Sequence, residues 1–292
     1  MRLGMIGIGL MGHGIARNLL GRGGFPLRFL DHPGNRPVDE ILALGGVAAR
    51  TPAEVARDAD AVILCVTGSA QVEAVLTGQD GVLSALKPGA VIVDCSTALP
   101  DSTLRMAALA RAAGAEFLDA PMTRTAQAAH EGRLNLLIGG DAAVLSAMRP
   151  VLAAFTEEVF HVGPVGAGHR MKLLHNYVSV GGMVLLAEAA AHAADAGIDP
   201  ARFVEVLAKG GGAGAALQRL APFITTGDRE ALPFAIGNGL KDIAYYRQMA
   251  QASGAGHAVA DGIEATLAQV VDDGQGDAYL PELVRILRRG LP

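Results

Sequence analysis

A glycine pattern inside the first fourteen residues constrains this chain more than any other feature. The apolar run Met1-Arg2-Leu3-Gly4-Met5-Ile6 breaks into Gly7-x-Gly9-x-x-Gly12 and resumes as Ile15-Ala16-Arg17-Asn18-Leu19-Leu20. The order is a strand, a glycine turn and the start of an amphipathic helix. Gly7 allows the tight turn, Gly9 leaves no Cβ between backbone and a pyrophosphate, and Gly12 lets the helix sit close on the strand. The helix N-terminus adds N–H donors and a partial positive charge for phosphates. With 38 glycines in 292 residues such a spacing also arises by chance, so its context decides. Here a second strand, Leu27–Leu30, follows and ends in Asp31. An acid there accepts hydrogen bonds from the adenosine ribose and repels a 2′-phosphate, which favours NAD over NADP. Asn35-Arg36 offers a competing phosphate clamp, but Arg36 sits in a turn between Pro33-Gly34 and Pro37. NAD is the expected cofactor, with NADP as the alternative.

Up to about residue 162 short apolar runs alternate with amphipathic stretches, the signature of a parallel sheet wound with helices. Predicted strands are Arg2–Ile6, Leu27–Leu30, Ala61–Val66, Val91–Asp94, Glu116–Asp119 and Leu134–Gly139. Helical segments between them are Gly14–Gly21, Pro37–Leu44, Pro52–Asp58, Gln71–Leu76, Pro100–Ala113 and Ala142–Ala154. After Gly163-Pro164-Val165-Gly166 the strand-like runs vanish and helical spacing takes over. A long helix is expected from Gly168 to Ala196, followed by helices at Pro200–Lys209, Ala215–Phe223, Phe234–Ser253, Gly256–Asp273 and Pro281–Arg289. The expected fold class is therefore α/β, with a dinucleotide-binding domain at 1–163 and an all-helical domain at 164–292. A cleft between two such domains is where substrate would meet cofactor.

Composition narrows the function classes. A net charge of −5 with 24 basic residues spread along the chain gives no basic stripe, which argues against nucleic acid as a partner. The apolar start is too short and glycine-broken for a signal peptide, and the most apolar helical stretch, Tyr177–Ala187, runs into Glu188. No membrane partner and a cytoplasmic location are expected. Cys65 and Cys95 fall inside apolar runs, as buried reduced thiols do. The 8 histidines show no His-x-x-x-His and there is no Cys-x-x-Cys, so no metal is expected.

Lys172 and Asn176 are four apart on the first turns of the long helix and project from one face. Hydride transfer at a carbinol carbon needs a partner for the hydroxyl proton, and a lysine beside a positively charged nicotinamide can exchange it.

Several motifs stand in order along nearly the whole chain. They are Gly7-Ile8-Gly9-Leu10-Met11-Gly12, Val93-Asp94-Cys95-Ser96-Thr97, Phe117-Leu118-Asp119-Ala120-Pro121, Gly166-x-Gly168-x-x-x-Lys172-x-x-x-Asn176 and Leu240-Lys241-Asp242. Together they resemble the β-hydroxyacid dehydrogenase family, which includes 3-hydroxyisobutyrate dehydrogenase, tartronate semialdehyde reductase and sulfolactaldehyde reductase. The resemblance implies an N-terminal Rossmann domain and an all-helical C-terminal domain. It also implies a catalytic lysine at Lys172 and a substrate-holding asparagine at Asn176. Gly7, Gly9, Leu10, Met11 and Gly12 would hold the pyrophosphate, Val66 and Thr67 would line the path to the nicotinamide, and Thr97 would sit by its ribose. Lys241 would reach the cofactor side, and Gly212, in the Gly211-Gly212 pair, would lie near the substrate. A homodimer or homotetramer is implied by the same analogy.

One departure bears on substrate. After Asp119-Ala120-Pro121 the family commonly has valine, serine, glycine, glycine, and here the run is Met122-Thr123-Arg124-Thr125. Thr123 keeps a hydroxyl donor, and Arg124 adds a guanidinium fork that suits a carboxylate or sulfonate. Sulfolactaldehyde reductases resemble this chain here, with an Arg-Thr pair. A solvent-facing Arg124 is the competing account. The expected function is hydride transfer between a nicotinamide cofactor and a short 3-hydroxy acid/semialdehyde pair. Sulfolactaldehyde or tartronate semialdehyde reduction, imine reduction and a non-catalytic dinucleotide-binding module are the alternatives.

Overall fold

A computed structural model describes residues 1–289 of the chain; the last three residues of the expected helical domain, 290–292, lie outside the described residues. The chain divides into two compact units, one ending at Lys172 and the other beginning at Leu173. This division falls nine residues beyond the expected hinge at 163, because main-chain N–H groups of Gly166 and His169 are tied to the Asp119 carboxylate of the first unit.

The first unit is a sheet of nine strands among the described residues. Strands β1 (Leu3–Ile6), β2 (Leu27–Leu30), β3 (Val47–Ala49), β4 (Ala61–Leu64), β5 (Val91–Asp94) and β6 (Glu116–Asp119) run parallel in the spatial order β3-β2-β1-β4-β5-β6. This is the doubly wound Rossmann order, whose chain direction switches between β1 and β4. The central strands are apolar throughout because helices cover both faces. Successive residues point to opposite faces, so Met5, Ile63, Val93 and Leu118 line one core. Their neighbours Ile6, Val62, Leu64, Ile92 and Phe117 line the other.

Helices α1 (Gly12–Gly21), α2 (Asp39–Ala43), α3 (Pro52–Ala56), α4 (Ser69–Thr77) and α5 (Pro100–Ala112) connect the parallel strands. Their starts are set locally: Thr51 accepts a hydrogen bond from the N–H of Glu54, and proline fills the first helical position in α3 and α5.

The expectation of an all-parallel sheet needs correction beyond β6. A two-residue strand β7 (Met122–Thr123), the short helix α6 (Ala126–His130) and β8 (Leu134–Gly139) follow, and β8 pairs antiparallel with both β6 and β7. A five-residue helix is too short for the crossover that parallel pairing requires. After α7 (Ala142–Leu152) the chain adds β9 (Thr156–Gly163) parallel to β8.

Among the described residues the second unit is helical, apart from one isolated bridge between Ala235 and Tyr279. Helix α8 (Ala167–Asp195) leads into it, followed by α9 (Pro200–Ala208), α10 (Ala215–Thr226), α11 (Ile236–Ala252), α12 (Ala258–Val270) and α13 (Leu283–Ile286). Contrary to expectation, α8 has the length, 29 residues, and a mean hydropathy of 1.3 over its most apolar window that could cross a membrane. Its residues Val180, Met183, Val184, Ala187 and Ala190 are buried in the core of the helical unit, with Leu220, Ile243, Leu267 and Leu280. A second cluster packs Leu173 against Tyr246, where the rings of Tyr177 and Tyr246 stack at 4.0 Å.

Candidate active site

The carboxyl ends of β1, β2, β4 and β5 carry the residues expected to hold a dinucleotide. Gly7 follows β1 directly with φ +98°, a left-handed conformation that disfavours any side chain. A Cβ on Gly7 would overlap the carbonyl of Cys65, and one on Gly12 would overlap the carbonyl of Gly7. A Cβ on Gly9, by contrast, would meet no protein atom within 4 Å. The turn is thus closed at Gly7 and Gly12 by the chain itself and open at Gly9, as a backbone cradle for pyrophosphate must be. Leu10 is exposed, Met11 packs on the core, and α1 starts at Gly12. The residues fit a nicotinamide dinucleotide.

Asp31 is exposed at the end of β2, its N–H bonded to the carbonyl of Ala49 at 2.8 Å. Asn35, which the sequence reasoning passed over in favour of Arg36, straps this corner together. Its Nδ2 donates to Leu30 O at 2.9 Å, its Oδ1 accepts from Ile8 N at 3.3 Å, and Arg36 N donates to Ile8 O at 2.8 Å. Val66 N donates to Ser96 Oγ at 3.1 Å, which couples the Val66-Thr67 loop after β4 to the Ser96-Thr97 loop after β5. Burial and the nearby Asp94 push the Cys65 thiol up to about 12, and burial raises Cys95 well above its ordinary value, so both are neutral thiols.

Beneath the Thr97 loop lies a buried polar knot. His169 is 0% exposed. Its Nε2 donates to Ser96 O at 3.1 Å, its Nδ1 lies 2.7 Å from Thr103 Oγ1, and Asp94 and Asp119 stand 4.0 Å away on either side. Asp119 Oδ1 and Oδ2 accept from the N–H groups of Gly166 and His169 at 2.7 and 2.8 Å. Burial raises the Asp119 carboxyl above its ordinary range against the opposing influence of His169 and these donors. The first turn of α8 is therefore fixed to the ends of β5 and β6.

Three residues further along α8, about one helical turn, Lys172 Nζ donates to Met122 O at 2.7 Å. Met122 and Thr123 form β7, so the ammonium is brought to the segment that begins the expected anion-binding run. Arg124 has φ +82°, rare for a residue with a side chain. Its guanidinium makes a bidentate pair with Glu157 on β9, at 2.6 and 2.9 Å, and this pairing holds the Glu157 carboxyl below its ordinary range. The fork is therefore not solvent-facing alone; a protein carboxylate meets it in an exposed pair. Thr125 caps α6, its hydroxyl accepting from Ala128 N at 3.2 Å.

In the helical unit, Asn176 is 5% exposed and donates from Nδ2 to Asp242 Oδ2 at 2.6 Å, while its Oδ1 faces His175 Nδ1 at 3.0 Å. Lys241 Nζ lies 3.0 Å from Asp242 Oδ1 and 5.5 Å from the centre of the Tyr245 ring. The buried Asp242 thus orients Asn176 and Lys241 together; the sequence motif contained it, but only as the lysine's neighbour. Gly212 lies between α9 and α10, where a Cβ would crowd Leu207 at 2.8 Å.

A doubly wound sheet with this glycine cradle, and a lysine held at β7, defines a nicotinamide-dependent dehydrogenase. Residues 2–163 match the family model for the NAD binding domain of 6-phosphogluconate dehydrogenase, and residues 166–287 match that for the NAD-binding region of NADP-dependent 3-hydroxyisobutyrate dehydrogenase. The chain is 34% identical over 229 residues to 2-(hydroxymethyl)glutarate dehydrogenase of Eubacterium barkeri, covering 78% of this chain and 75% of that one. It is also 34% identical over 222 residues to NAD-dependent L-serine dehydrogenase of Pseudomonas aeruginosa, covering 76% and 74%. The crystal structure of 3-hydroxyisobutyrate dehydrogenase from Salmonella typhimurium superposes with a TM-score of 0.86 at 28% identity, over 98% of this chain and 100% of that one. The chain belongs to the β-hydroxyacid dehydrogenase family and is an NAD(P)-dependent hydroxyacid dehydrogenase acting on CH–OH groups.

Proposed function

We propose that the substrate is a short 3-hydroxy acid, interconverted with its semialdehyde, and that NAD is the preferred cofactor. The observation that carries this reading is the 2.7 Å hydrogen bond from Lys172 Nζ to Met122 O, which fixes an ammonium beside Thr123. The relatives named for 2-(hydroxymethyl)glutarate and L-serine act on molecules with a hydroxymethyl group on the carbon that bears a carboxylate. That is the group a proton-exchanging lysine next to an anion-binding segment serves.

When bound, the nicotinamide accepts or supplies the hydride. Lys172 takes the hydroxyl proton during oxidation and returns it during reduction. Thr123, with Thr125, holds the carboxylate, and Asn176, oriented by Asp242, positions the hydroxyl end. Fixing alcohol and anion at once orients the carbinol carbon, a source of rate enhancement in its own right. Asp31 receives the adenosine ribose, and Gly7, Gly9, Leu10, Met11 and Gly12 hold the pyrophosphate. Val66, Thr67 and Thr97 line the way to the nicotinamide, Lys241 reaches the cofactor and Gly212 lies near the substrate. A homo-oligomer in the cytoplasm is part of this reading.

An NAD- and NADP-linked absorbance assay tests it against 3-hydroxyisobutyrate, 3-hydroxypropionate, L-serine, glycerate, 4-hydroxybutyrate and dihydroxypropanesulfonate. Turnover of a 3-hydroxy carboxylate with NAD is the expected result. Preference for the sulfonate or for 4-hydroxybutyrate overturns the substrate class, and preference for NADP overturns the cofactor assignment.

A further inference from the structure

We propose that His13, Glu40 and His130 form a binding site for a divalent transition metal, suited to Zn2+, on the dinucleotide-binding unit. The hydride chemistry above uses none of the three. His13 is on the first turn of α1, Glu40 is at the start of α2, and His130 ends α6. One ligand atom from each lies within 4.8 Å of the other two. His13 Nε2 is 3.9 Å from Glu40 Oε2, and the two imidazoles stack with centroids 6.4 Å apart and planes inclined by 14°. Bonds of about 2.1 Å to Zn2+ put tetrahedral ligand atoms about 3.4 Å apart, so side-chain shifts of about 1 Å close the set.

The backbone beneath is built to hold this geometry. A Cβ on Gly14 would come to 2.5 Å from the main chain of Ala129 and His130, so only glycine lets α6 rest directly on α1. Asn18, 1% exposed, reaches from α1 to the carbonyls of Ala129 and His130 at 2.9 and 3.0 Å and fixes the end of α6. Arg17 joins the third element: its Nε donates to Glu40 Oε1 at 2.6 Å, and its Nη1 lies 3.4 Å from His130 O. Because Arg17 occupies Oε1, Oε2 is the oxygen turned to His13. Metal-binding carboxylates are commonly oriented by such an outer hydrogen bond.

Two imidazole nitrogens and one carboxylate oxygen are a borderline donor set that suits Zn2+ and leaves a fourth position for water. The ligands are separated by 27 and 90 residues, which is why a search for local His and Cys pairs missed them and led to the expectation of no metal. A metal here would bridge α1, α2 and α6, and binding to the folded chain alone would raise its melting temperature.

Titration of the full-length protein with Co2+, followed by visible ligand-field absorption, and then with Zn2+, tests the site. One Co2+ per chain, displaced by Zn2+, and a Tm that rises with Zn2+ are expected. His13→Ala and His130→Ala should each weaken binding at least tenfold, and Arg17→Ala about ten- to hundredfold by disorienting Glu40. His130 is exposed, so His130→Ala should fold and keep dehydrogenase activity, which makes its metal affinity the decisive value. Absence of Co2+ binding by the unsubstituted protein, or an affinity in either histidine variant equal to that of the unsubstituted protein, overturns the proposal.

Discussion

Lys172 and Met122 are joined by a hydrogen bond of 2.7 Å from the side-chain ammonium to the main-chain carbonyl, across fifty residues of sequence. A lysine tethered in this way is restricted to a small arc near β7, close to the donors of Thr123. Lys172→Ala should lower kcat by about 10²–10⁴, the range general acid/base catalysis supplies. NAD affinity, measured by fluorescence titration, should stay nearly unchanged. Equal turnover would take Lys172 out of the mechanism.

Gly9 and Gly12 separate cofactor binding from folding. Gly9→Ala adds a Cβ where no protein atom lies within 4 Å, so its melting temperature should match that of the unsubstituted chain. The same Cβ would intrude on the pyrophosphate, and steric costs of about 1–3 kcal/mol correspond to about ten- to hundredfold weaker NAD binding. Gly12→Ala should lose both, because its Cβ overlaps the carbonyl of Gly7. Calorimetry with and without NAD distinguishes the pair; a Gly9→Ala protein that binds NAD normally would rule out pyrophosphate at this turn.

At Asp31, truncation removes a charged acceptor from the exposed end of β2. One charged hydrogen bond is worth about 1.5–3 kcal/mol, so Asp31→Ala should shift the ratio of kcat/KM for NAD over NADP by about ten- to a hundredfold toward NADP. An unchanged ratio would assign cofactor choice to Arg36 or to the Asn35 strap.

Much of this layout was legible beforehand because it rests on local signals. The inner strands are mostly apolar runs, and four strands, β2, β5, β6 and β8, match the sequence expectation to the residue. The misses share a cause. The outer strand β9 reads Thr-Glu-Glu-Val-Phe-His-Val-Gly, has no buried residue and carries two glutamates, so no buried apolar run betrays it. β3 and β7 are three and two residues long and exist through their partners. The direction of β8 follows from the brevity of α6, a helix too short for its periodicity to register. Site chemistry shows the same divide. The glycine turn and the Lys172–Asn176 spacing are sequence-local, whereas Glu157 on Arg124, Asp242 on Asn176 and the His169 knot join residues 33 to 73 apart.

Glu157 decides what Arg124 is available for. Glu157→Gln should release the guanidinium and raise the use of dihydroxypropanesulfonate relative to a 3-hydroxy carboxylate. Because Arg124 lowers the Glu157 carboxyl below its ordinary value, the pairing contributes above the ordinary carboxylate pKa and is lost as pH falls through the lowered one. Activity with the sulfonate should therefore rise on acidification in the unsubstituted enzyme and lose that pH dependence in Glu157→Gln. A substrate ratio indifferent to both changes would leave Arg124 a purely structural residue.

The His169 knot should be a stability element that also sets the geometry around Lys172. Replacing His169 by leucine keeps the volume roughly but leaves Ser96 O without its donor, Thr103 Oγ1 without its ring partner, and the buried Asp94 and Asp119 with no imidazole between them. Buried polar groups stripped of partners cost about 1–3 kcal/mol each, so a loss of about 2–5 kcal/mol is expected for His169→Leu. In urea unfolding this should lower the midpoint with an unchanged slope, since the surface exposed on unfolding stays the same. His169→Gln, which can still donate to Ser96 O, should recover part of the loss. Thr103→Val should cost less than His169→Leu, because it removes one hydroxyl rather than the shared ring. If His169→Leu unfolds at the same urea concentration as the unsubstituted protein, the carboxylates on either side draw their stability from the Gly166 and His169 main-chain donors alone, and the imidazole is dispensable to the fold.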